Sequence, residues 1–345
     1  MATALLATVA RAQQTKKASR IGFFSYGSVE IEQSSLAAFR QKLRELGYLE
    51  GQNIVIEQRY AIGRSEKLPE LLAELMALKV DLLVVAGDPA VHAAKKATNT
   101  IPIVMVASPD PVGTGLIASL AHPGGNVTGL SDFHGGVITK RLELLKEVVP
   151  SASRFAVLLN PVNPSNPLQL KDIQAAAPAF RVTLLPLEIK GPDDMDHTFT
   201  TIEKERPGAL LVIGDRLFAT HQKRIFEFVM AKAEPGALIV QPLFISNLGQ
   251  GQKIAQLALK HRLATISDGI PFADQGGLLF YGPDQKPMFQ RAAIYVDKIL
   301  KGIKPGDLPI EQPTKFELVI NLKTAKQIGV MIPAIVLARA DRVIR

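Results

Sequence analysis

Residues 113–118, GTGLIA, have the spacing of the dinucleotide-binding motif G-x-G-x-x-G/A. In a dinucleotide-binding fold, the first glycine turns the chain directly out of a strand, so that the next helix N-terminus faces the pyrophosphate. Here residues 108–111, SPDP, separate the preceding apolar run from Gly113, and the two prolines favour an extended chain. We therefore expect no dinucleotide at this segment. The sequence also contains no G-x-x-x-x-G-K-[ST] motif, so we expect no P-loop.

Metal and covalent chemistry have little support in the sequence. The chain has no cysteine, which excludes structural disulfides, thiolate catalysis and cysteine-ligated zinc. The six histidines are dispersed, without an H-x-H or H-x-x-x-H pair, and no G-x-S-x-G motif is present. We therefore expect no metal, no cofactor and no catalytic residue.

The remaining candidates are polar and aromatic residues near the C-terminal ends of predicted strands. In open parallel sheets the ligand crevice lies beyond those ends. Phe24 and Phe133 are further candidates to stack on a ligand, and Asp215 and Gln241 compete for one position. Each residue can equally be an ordinary cap or turn residue. The candidate ligand-binding residues are Ser25, Tyr26, Gly87, Asp88, Pro89, Ser108, Asp110, Pro111, Asn160, Asn163, Asp215, Gln241, Asp268 and Tyr281.

The elements that must position these residues alternate between short β-branched runs and amphipathic helices. The run RIGFFSY (20–26) is followed by a segment whose apolar residues recur at spacings of three and four. The run DLLVVAG (81–87) is too apolar for a half-exposed strand, which favours a parallel sheet covered on both faces. A second series starts at RFAVLLN (154–160). The sequence therefore predicts an α/β fold of two doubly wound parallel-sheet lobes that meet near residue 130.

One internal repeat lies in the second series. The run GALLVIG starts at Gly208 and GALIVQ starts at Gly236, 28 residues later, and "LF" and "QK" follow in both copies. This spacing corresponds to one strand and one helix. We therefore predict a duplicated βα unit over residues 208–262.

The N-terminal residues predict export. An apolar run, residues 4–10, ends in Ala10-Arg11-Ala12, which is typical of a signal peptide with Gln13 as the first mature residue. No basic segment precedes the apolar run, so we expect the natural start to lie upstream. No stretch approaches the ~20 apolar residues of a membrane-spanning helix.

The composition is that of a soluble globular protein, with 47% hydrophobic and 21% charged residues. The formal charge of +8 invites a nucleic-acid interpretation, but lysine and arginine are scattered along helices beside glutamate. Such mixed-sign faces usually face solvent, and tryptophan is absent. We therefore expect no nucleic-acid partner.

Seven segments distributed along the chain are distinctive in their residue order. They are ARAQQ, FRQKLRELGYLEGQNIVIEQRYA, DPVGTGLIASLAHPGGNVTGLS, LELLKEVVP, GGLLFYGPD, RAAIYVDKILKGIKPGDLPIEQPTKFELVINLKTAKQIG and ARADRVI. These segments resemble the ABC-transporter substrate-binding protein family, which includes tryptophan- and tyrosine-binding lipoproteins, and the resemblance extends over nearly the whole chain from Ala10. The family has one copy of the unit that is duplicated here, which leaves open whether Asp215 or Gln241 serves the second lobe.

The resemblance implies a type I periplasmic-binding fold, whose two lobes are joined by three crossovers and close on a small ligand. PGGNVTGLSD (123–132) resembles the first crossover, Leu278–Tyr281 the second, and the chain from Lys304 the third. The implied divisions are residues 1–19 for the signal-peptide remnant and tail, 20–130 with 278–303 for the first lobe, and 131–277 with 304–345 for the second. Residues 113–118 are then expected to open a helix.

The function implied is that of a non-enzymatic, monomeric, periplasmic receptor of an ABC importer that works with a membrane permease. Its ligand is expected to be an amino acid or an aromatic or aliphatic carboxylate. Helix N-termini at Pro89 and near Gly113 are candidates to hold a carboxylate, and Asp88, Asp110 or Asp268 to pair with an ammonium group. The alternatives are a ligand-sensing regulator domain of the same fold and, less favoured, a nucleotide-dependent oxidoreductase.

Overall fold

The computed structural model describes residues 18–132, 136–232, 248–267, 270–283, 287–313 and 315–345. The predicted cleavage site before Gln13 and the candidates Phe133, Gln241 and Asp268 lie outside these residues. Within the described ranges, no helix is both long enough and apolar enough to cross a bilayer.

Strands and helices alternate along most of the described chain. The strands are β1 (Ser19–Ser25), β2 (Ile54–Tyr60), β3 (Leu82–Ala86), β4 (Ile103–Ser108), β5 (Val127–Ser131), β6 (Arg154–Leu159), β7 (Thr183–Glu188), β8 (Ala209–Val212), β9 (Ile266–Ser267), β10 (Leu279–Pro283), β11 (Phe316–Asn321) and β12 (Arg342–Ile344). The helices are α1 (Val29–Glu45), α2 (Leu68–Ala77), α3 (Asp88–Ala97), α4 (Val137–Val148), α5 (Ser165–Ala176), α6 (Met195–Glu205), α7 (Arg216–Thr220), α8 (Gln222–Lys232), α9 (Leu248–Lys260), α10 (Ile270–Asp274), α11 (Pro287–Leu300), α12 (Leu322–Ile328) and α13 (Ala334–Leu337).

The first lobe is built on a five-stranded parallel sheet in the order β2-β1-β3-β4-β5. Its central strand, β3, is buried along its whole length. Successive side chains of a strand point to opposite faces. Leu83 and Val85 accordingly pack in the apolar layer of α2 and α3, while Leu82 and Val84 pack in that of α1 and α11. Helices therefore cover both faces, as the apolar run DLLVVAG predicts.

The second lobe contains a three-stranded parallel sheet, β7-β6-β8, and a four-stranded sheet, β12-β11-β10-β9. Leu142 of α4, Val157 of β6 and Ile320 of β11 belong to one apolar core that these two sheets share. The pair β10 and β11 is antiparallel, unlike its neighbours. This follows from the path of the chain. β10 ends at Pro283, the chain visits the first lobe, and it re-enters this sheet at Phe316, directly opposite Pro283.

The second and third crossovers between the lobes do not lie at the predicted residues. The segment Leu278–Tyr281 does not cross to the first lobe, because β10 is hydrogen-bonded between β9 and β11. The first-lobe element is α11, which packs against α1 and β4. Residues beyond Lys304 also remain there, since Thr128 Oγ1 donates to Leu308 O at 2.7 Å and Ser131 N donates to Glu311 O at 2.9 Å.

Residues 113–118 do not open a helix, which corrects that prediction. Residues 111–115 form turns, and Asp110 Oδ1 accepts a hydrogen bond from Gly113 N at 2.7 Å. A Cβ on Gly113 would overlap the Asp110 carboxylate. An aspartate that caps its own turn is a common loop-forming device, and here it replaces the first turn of a helix.

The first copy of the predicted repeat forms β8, α7 and α8. The strand of the second copy, GALIVQ, lies outside the described residues, and α9 follows it. The prediction of a duplicated unit therefore stays a prediction.

Candidate functional site

The C-terminal ends of strands from both lobes meet at a buried polar cluster. Parallel strands end at the same edge of a sheet, so the residues that follow them collect there. We call this group the interlobe cluster. Its members are Ser25, Tyr26, Glu32, Asp88 and Ser108 from the first lobe, and Asn160, Asn163, Ser165, Asp215 and Arg216 from the second.

Asp215 organises the second-lobe side of the cluster. It follows β8 and caps α7, accepting a hydrogen bond from Leu217 N at 2.8 Å. Asn160 Nδ2 donates to its Oδ1 at 3.1 Å, and Asn163 Nδ2 donates to its Oδ2 at 2.6 Å. Burial raises the pKa of Asp215, and the hydrogen bond from Asn163 opposes that rise. The carboxyl group is thus committed to partners within its own lobe.

Tyr26 reaches from the first lobe towards that arrangement. Its hydroxyl donates to Gly63 O at 3.0 Å, and Asn160 Nδ2 lies 3.5 Å from the hydroxyl oxygen of Tyr26. Burial raises the pKa of Tyr26, and the charge of Asp215 adds to the effect. The phenol therefore remains neutral and serves as a hydrogen-bonding group between the lobes.

Asp88 is the first residue of α3 and follows Gly87, whose φ is +94°. A Cβ on Gly87 would stand 3.0 Å from both Tyr26 Cβ and Arg216 Cδ, so only glycine suits this turn. Ser165 Oγ of the second lobe donates to Asp88 Oδ2. The two lobes are therefore in direct contact at the start of α3.

The second oxygen of Asp88 has no such partner. Asp88 Oδ1 and Ser108 Oγ are both buried, and neither atom forms a hydrogen bond with the described part of the chain. Burial raises the pKa of Asp88 to about 6, and the charges of Asp132 and Asp215 add to the rise. The hydroxyls of Ser165 and Ser108 oppose it, although Ser108 and Asp88 do not meet hydrogen-bond geometry.

The backbone beside Ser108 is strained. Ala107 has a φ of +60°, and the register between β4 and β5 shifts between Met105 and Ser108. A Cβ on Gly129, the neighbour of this shift, would overlap the Met105 carbonyl. Positive φ at a residue with a side chain costs of order 1–3 kcal/mol and is concentrated at functional sites.

A buried charge pair, absent from the sequence-predicted site, completes the cluster. Arg216 Nε donates to Glu32 Oε1 at 2.6 Å, and both side chains are under 5% exposed. Glu32 stands four residues before Leu36 on the buried face of α1. This spacing was a usable signal, since it puts a carboxylate on the apolar stripe of a helix.

The other predicted residues lie apart from the cluster or only border it. Asp110 is exposed and bonded within its own turn, and Pro111 is buried beside it. Pro89 occupies the second position of α3. Tyr281 is on β10, where its carbonyl accepts from Arg141 Nε at 2.8 Å and its ring stacks on Phe316. Phe24 is part of the apolar core.

The cluster is suited to binding a polar solute. The described residues contain no group of three or more histidines and acids that could hold a metal ion. Apart from the Glu32–Arg216 pair, the ionisable side chains of the cluster are the acids Asp88 and Asp215 together with the phenol of Tyr26. A group with a positive charge and hydrogen-bond donors is therefore the natural complement.

Comparison with known proteins is consistent with this arrangement. The family described as ABC transporter substrate binding protein matches residues 30–235 and 228–344. A protein of Clostridioides difficile (strain R20291) named tyrosine-binding protein is 25% identical over 316 residues, which cover 90% of this chain and 81% of that protein. The overlap of the two family matches, at residues 228–235, falls inside the predicted repeat.

Solved structures share the fold. A conserved domain protein of Vibrio cholerae has a TM-score of 0.72 at 24% identity, covering 95% of this chain and 100% of that one. An ABC domain from Streptococcus pneumonia, in complex with L-Trp, has a TM-score of 0.73 at 23% identity with the same coverage. These likenesses show the fold, which is the type I periplasmic-binding fold with two α/β lobes. Since the family match spans nearly all of the described chain, this protein belongs to the ABC transporter substrate-binding protein family.

Proposed function

We propose that this protein is the periplasmic solute receptor of an ABC importer and that it binds an amino acid between its lobes. The observation that carries the proposal is the pair of unpartnered oxygens, Asp88 Oδ1 and Ser108 Oγ, buried where the two lobes meet. A buried polar atom without a partner costs roughly 1–3 kcal/mol, so such a pair marks a position where a ligand supplies the missing bonds.

The charges favour an ammonium group over a carboxylate. The Arg216 guanidinium is already paired with Glu32, whereas Asp88 is buried near two further acids, Asp132 and Asp215. A cationic ligand group beside Asp88 would lower the raised pKa of that carboxyl and stabilise its ionised form. The ligand's own carboxylate would lie away from these acids. A carboxylate ligand without an amine would leave Asp88 unpaired.

The relatives support the same class of ligand. The C. difficile relative is named a tyrosine-binding protein, and the pneumococcal structure contains L-Trp. The family membership supports a role beside a membrane permease, and we propose that the receptor acts as a monomer. The signal-peptide-like N-terminal residues support export.

Native mass spectrometry of gently purified protein tests the proposal. We expect a co-purified amino acid and, after its removal by unfolding and refolding, saturable binding of L-tyrosine, L-tryptophan or a related amino acid in calorimetry. Asp88→Ala should weaken that binding by roughly 10- to 150-fold, because it removes a charged hydrogen-bond acceptor. The exposed Asp172→Ala should not, and serves as the matched control.

Three other outcomes would contradict the proposal. Binding of a carboxylate without an amine would reject the ligand class. Equal affinity of the Asp88→Ala and Asp172→Ala variants would place the ligand elsewhere. Failure of the natural full-length precursor to be exported would reject the importer role.

A further inference from the structure

Glu32 and Arg216 form a charge pair that joins the two lobes. Glu32 is on α1 of the first lobe, and Arg216 is the first residue of α7 in the second. Their side chains are 3% and 4% exposed, and 2.6 Å separates Arg216 Nε from Glu32 Oε1. The pair accompanies a direct contact between α1 of the first lobe and α7 of the second.

The carboxylate of Glu32 is fixed by residues of its own lobe. Ser25 Oγ donates to Glu32 Oε1 at 2.6 Å, and Gly27 N donates to Ser25 Oγ at 2.9 Å. All three residues belong to β1, α1 and the turn between them, so these bonds do not require the second lobe. Glu32 is therefore a preorganised receptor for an incoming guanidinium group.

Arg216, in the second lobe, lies next to the residues of the candidate binding site. It follows Asp215, which binds Asn160 and Asn163, and its side chain passes over Gly87, next to Asp88. A shift of Arg216 therefore changes how the second-lobe polar residues face the unpartnered oxygen of Asp88.

We infer that Glu32 and Arg216 are a positioning pair. The pair fixes the position of one closed lobe relative to the other, so that Asp88 and Ser108 face the ligand correctly. Neither side chain needs to touch the ligand. The inference rests on the proposed function, since it assigns the residues that shape the same site.

The energetics of buried ions make the pair testable. Removing one member leaves the other charge buried without compensation when the lobes close, which is strongly destabilising. Removing both members is often nearly neutral. A single substitution should therefore impair closure more than the double substitution, and a double-mutant cycle measures that coupling.

The experiment measures the distance between the lobes directly. The chain has no cysteine, so spin labels can be attached through Lys96→Cys in the first lobe and Lys171→Cys in the second, both exposed positions. Distance distributions are recorded by double electron–electron resonance without ligand and with millimolar L-tyrosine or L-tryptophan. The variants are Glu32→Gln, Arg216→Met and the two combined, with Arg64→Met as control. Arg64 also pairs across the lobes, with Asp193 at 3.0 Å, but these side chains are 35% and 80% exposed, so solvent screens the pair.

We expect each single variant to lower the ratio of closed to open protein, and the affinity for the probe, by about 100-fold or more. The double variant should recover to within about 10-fold of the wild type, and Arg64→Met should change the ratio by less than about 5-fold. Melting temperatures of the ligand-free protein should stay close to the wild type, which separates positioning from a general loss of folding.

Three results would overturn the inference. The first is a closed fraction of Arg216→Met equal to that of Arg64→Met. The second is a double variant as open as the single ones, and the third is a wild-type protein that never populates the short distance, with or without the probes. If the pair behaves as expected while no amino acid binds, the proposed ligand class fails and the positioning role stands.

Discussion

Replacing Asp88 with asparagine is expected to stabilise the ligand-free protein while weakening ligand binding. Asp88 is buried, and its pKa is raised from 3.8 to about 6, chiefly because burial disfavours the charged form. Asparagine keeps an oxygen that can accept the hydrogen bond from Ser165 Oγ but carries no charge. The substitution therefore removes the cost of burying a carboxylate. It also removes the negative charge that we propose to bind the ammonium group of the ligand.

The magnitude follows from the two pKa values. The folded protein binds the Asp88 proton more tightly than the unfolded chain, so ionisation above pH 6 disfavours folding. The difference between 3.8 and about 6 corresponds to about 3 kcal/mol of the free energy of unfolding, at 1.36 kcal/mol per unit. This penalty is present in full above pH 6 and disappears as the pH falls below about 4.

Chemical denaturation at several pH values between 4 and 8 is the assay. We expect Asp88→Asn to exceed the wild type by about 3 kcal/mol at pH 8 and to match it near pH 4. The exposed Asp172→Asn should follow the wild type throughout. Equal stability of the Asp88→Asn and wild-type proteins at pH 8, or a less stable variant there, would refute the assignment of Asp88 as a buried carboxylate that is costly to ionise.

Three further predictions follow from the same arrangement. Amino-acid binding to the wild type should weaken about 10-fold between pH 7 and pH 5 in calorimetry, because Asp88 becomes protonated; a flat profile would contradict this. Asn160→Ala should weaken binding by roughly 10-fold or more, since its amide bridges Tyr26 and Asp215; unchanged affinity would exclude that role. Gly63→Ala should cost about 1 kcal/mol of stability and also reduce affinity, because its φ is +72° and a Cβ would overlap Leu217 of the second lobe. Gly47→Ala is the control, since its φ is +89° and no neighbour lies within 4 Å, so it should reduce stability and leave affinity unchanged. An equal loss of affinity in Gly63→Ala and Gly47→Ala would contradict a contact between the lobes at Gly63.

The sequence was informative wherever local pattern and sheet geometry agree. The alternation of apolar runs and amphipathic segments predicts the two parallel-sheet lobes, and the family comparison confirms the fold class. Residues after parallel strands converge at one edge, which is why Ser108, Asn160 and Asp215 could be grouped before the structure was known. Whether they bind a ligand is a proposal.

The features that sequence reasoning missed depend on contacts distant along the chain. Glu32 and Arg216 are separated by 184 residues, so no local pattern pairs them, although Glu32 by itself lies on the apolar stripe of α1. β10 is an apolar strand that could join either lobe, and its partner β11 starts only after the chain has visited the first lobe. The loop around Gly113 adopts turns because Asp110 competes with the backbone for hydrogen bonds.

A crystal structure of the protein with its co-purified ligand tests the central claim most directly. We predict an amino acid enclosed between the lobes, with its ammonium group within about 3.2 Å of Asp88 Oδ1 and a polar atom at hydrogen-bond distance from Ser108 Oγ. The Glu32–Arg216 pair should be intact in that complex. A ligand bound outside the interlobe cluster, or one between the lobes that leaves Asp88 Oδ1 and Ser108 Oγ without partners, would contradict the account.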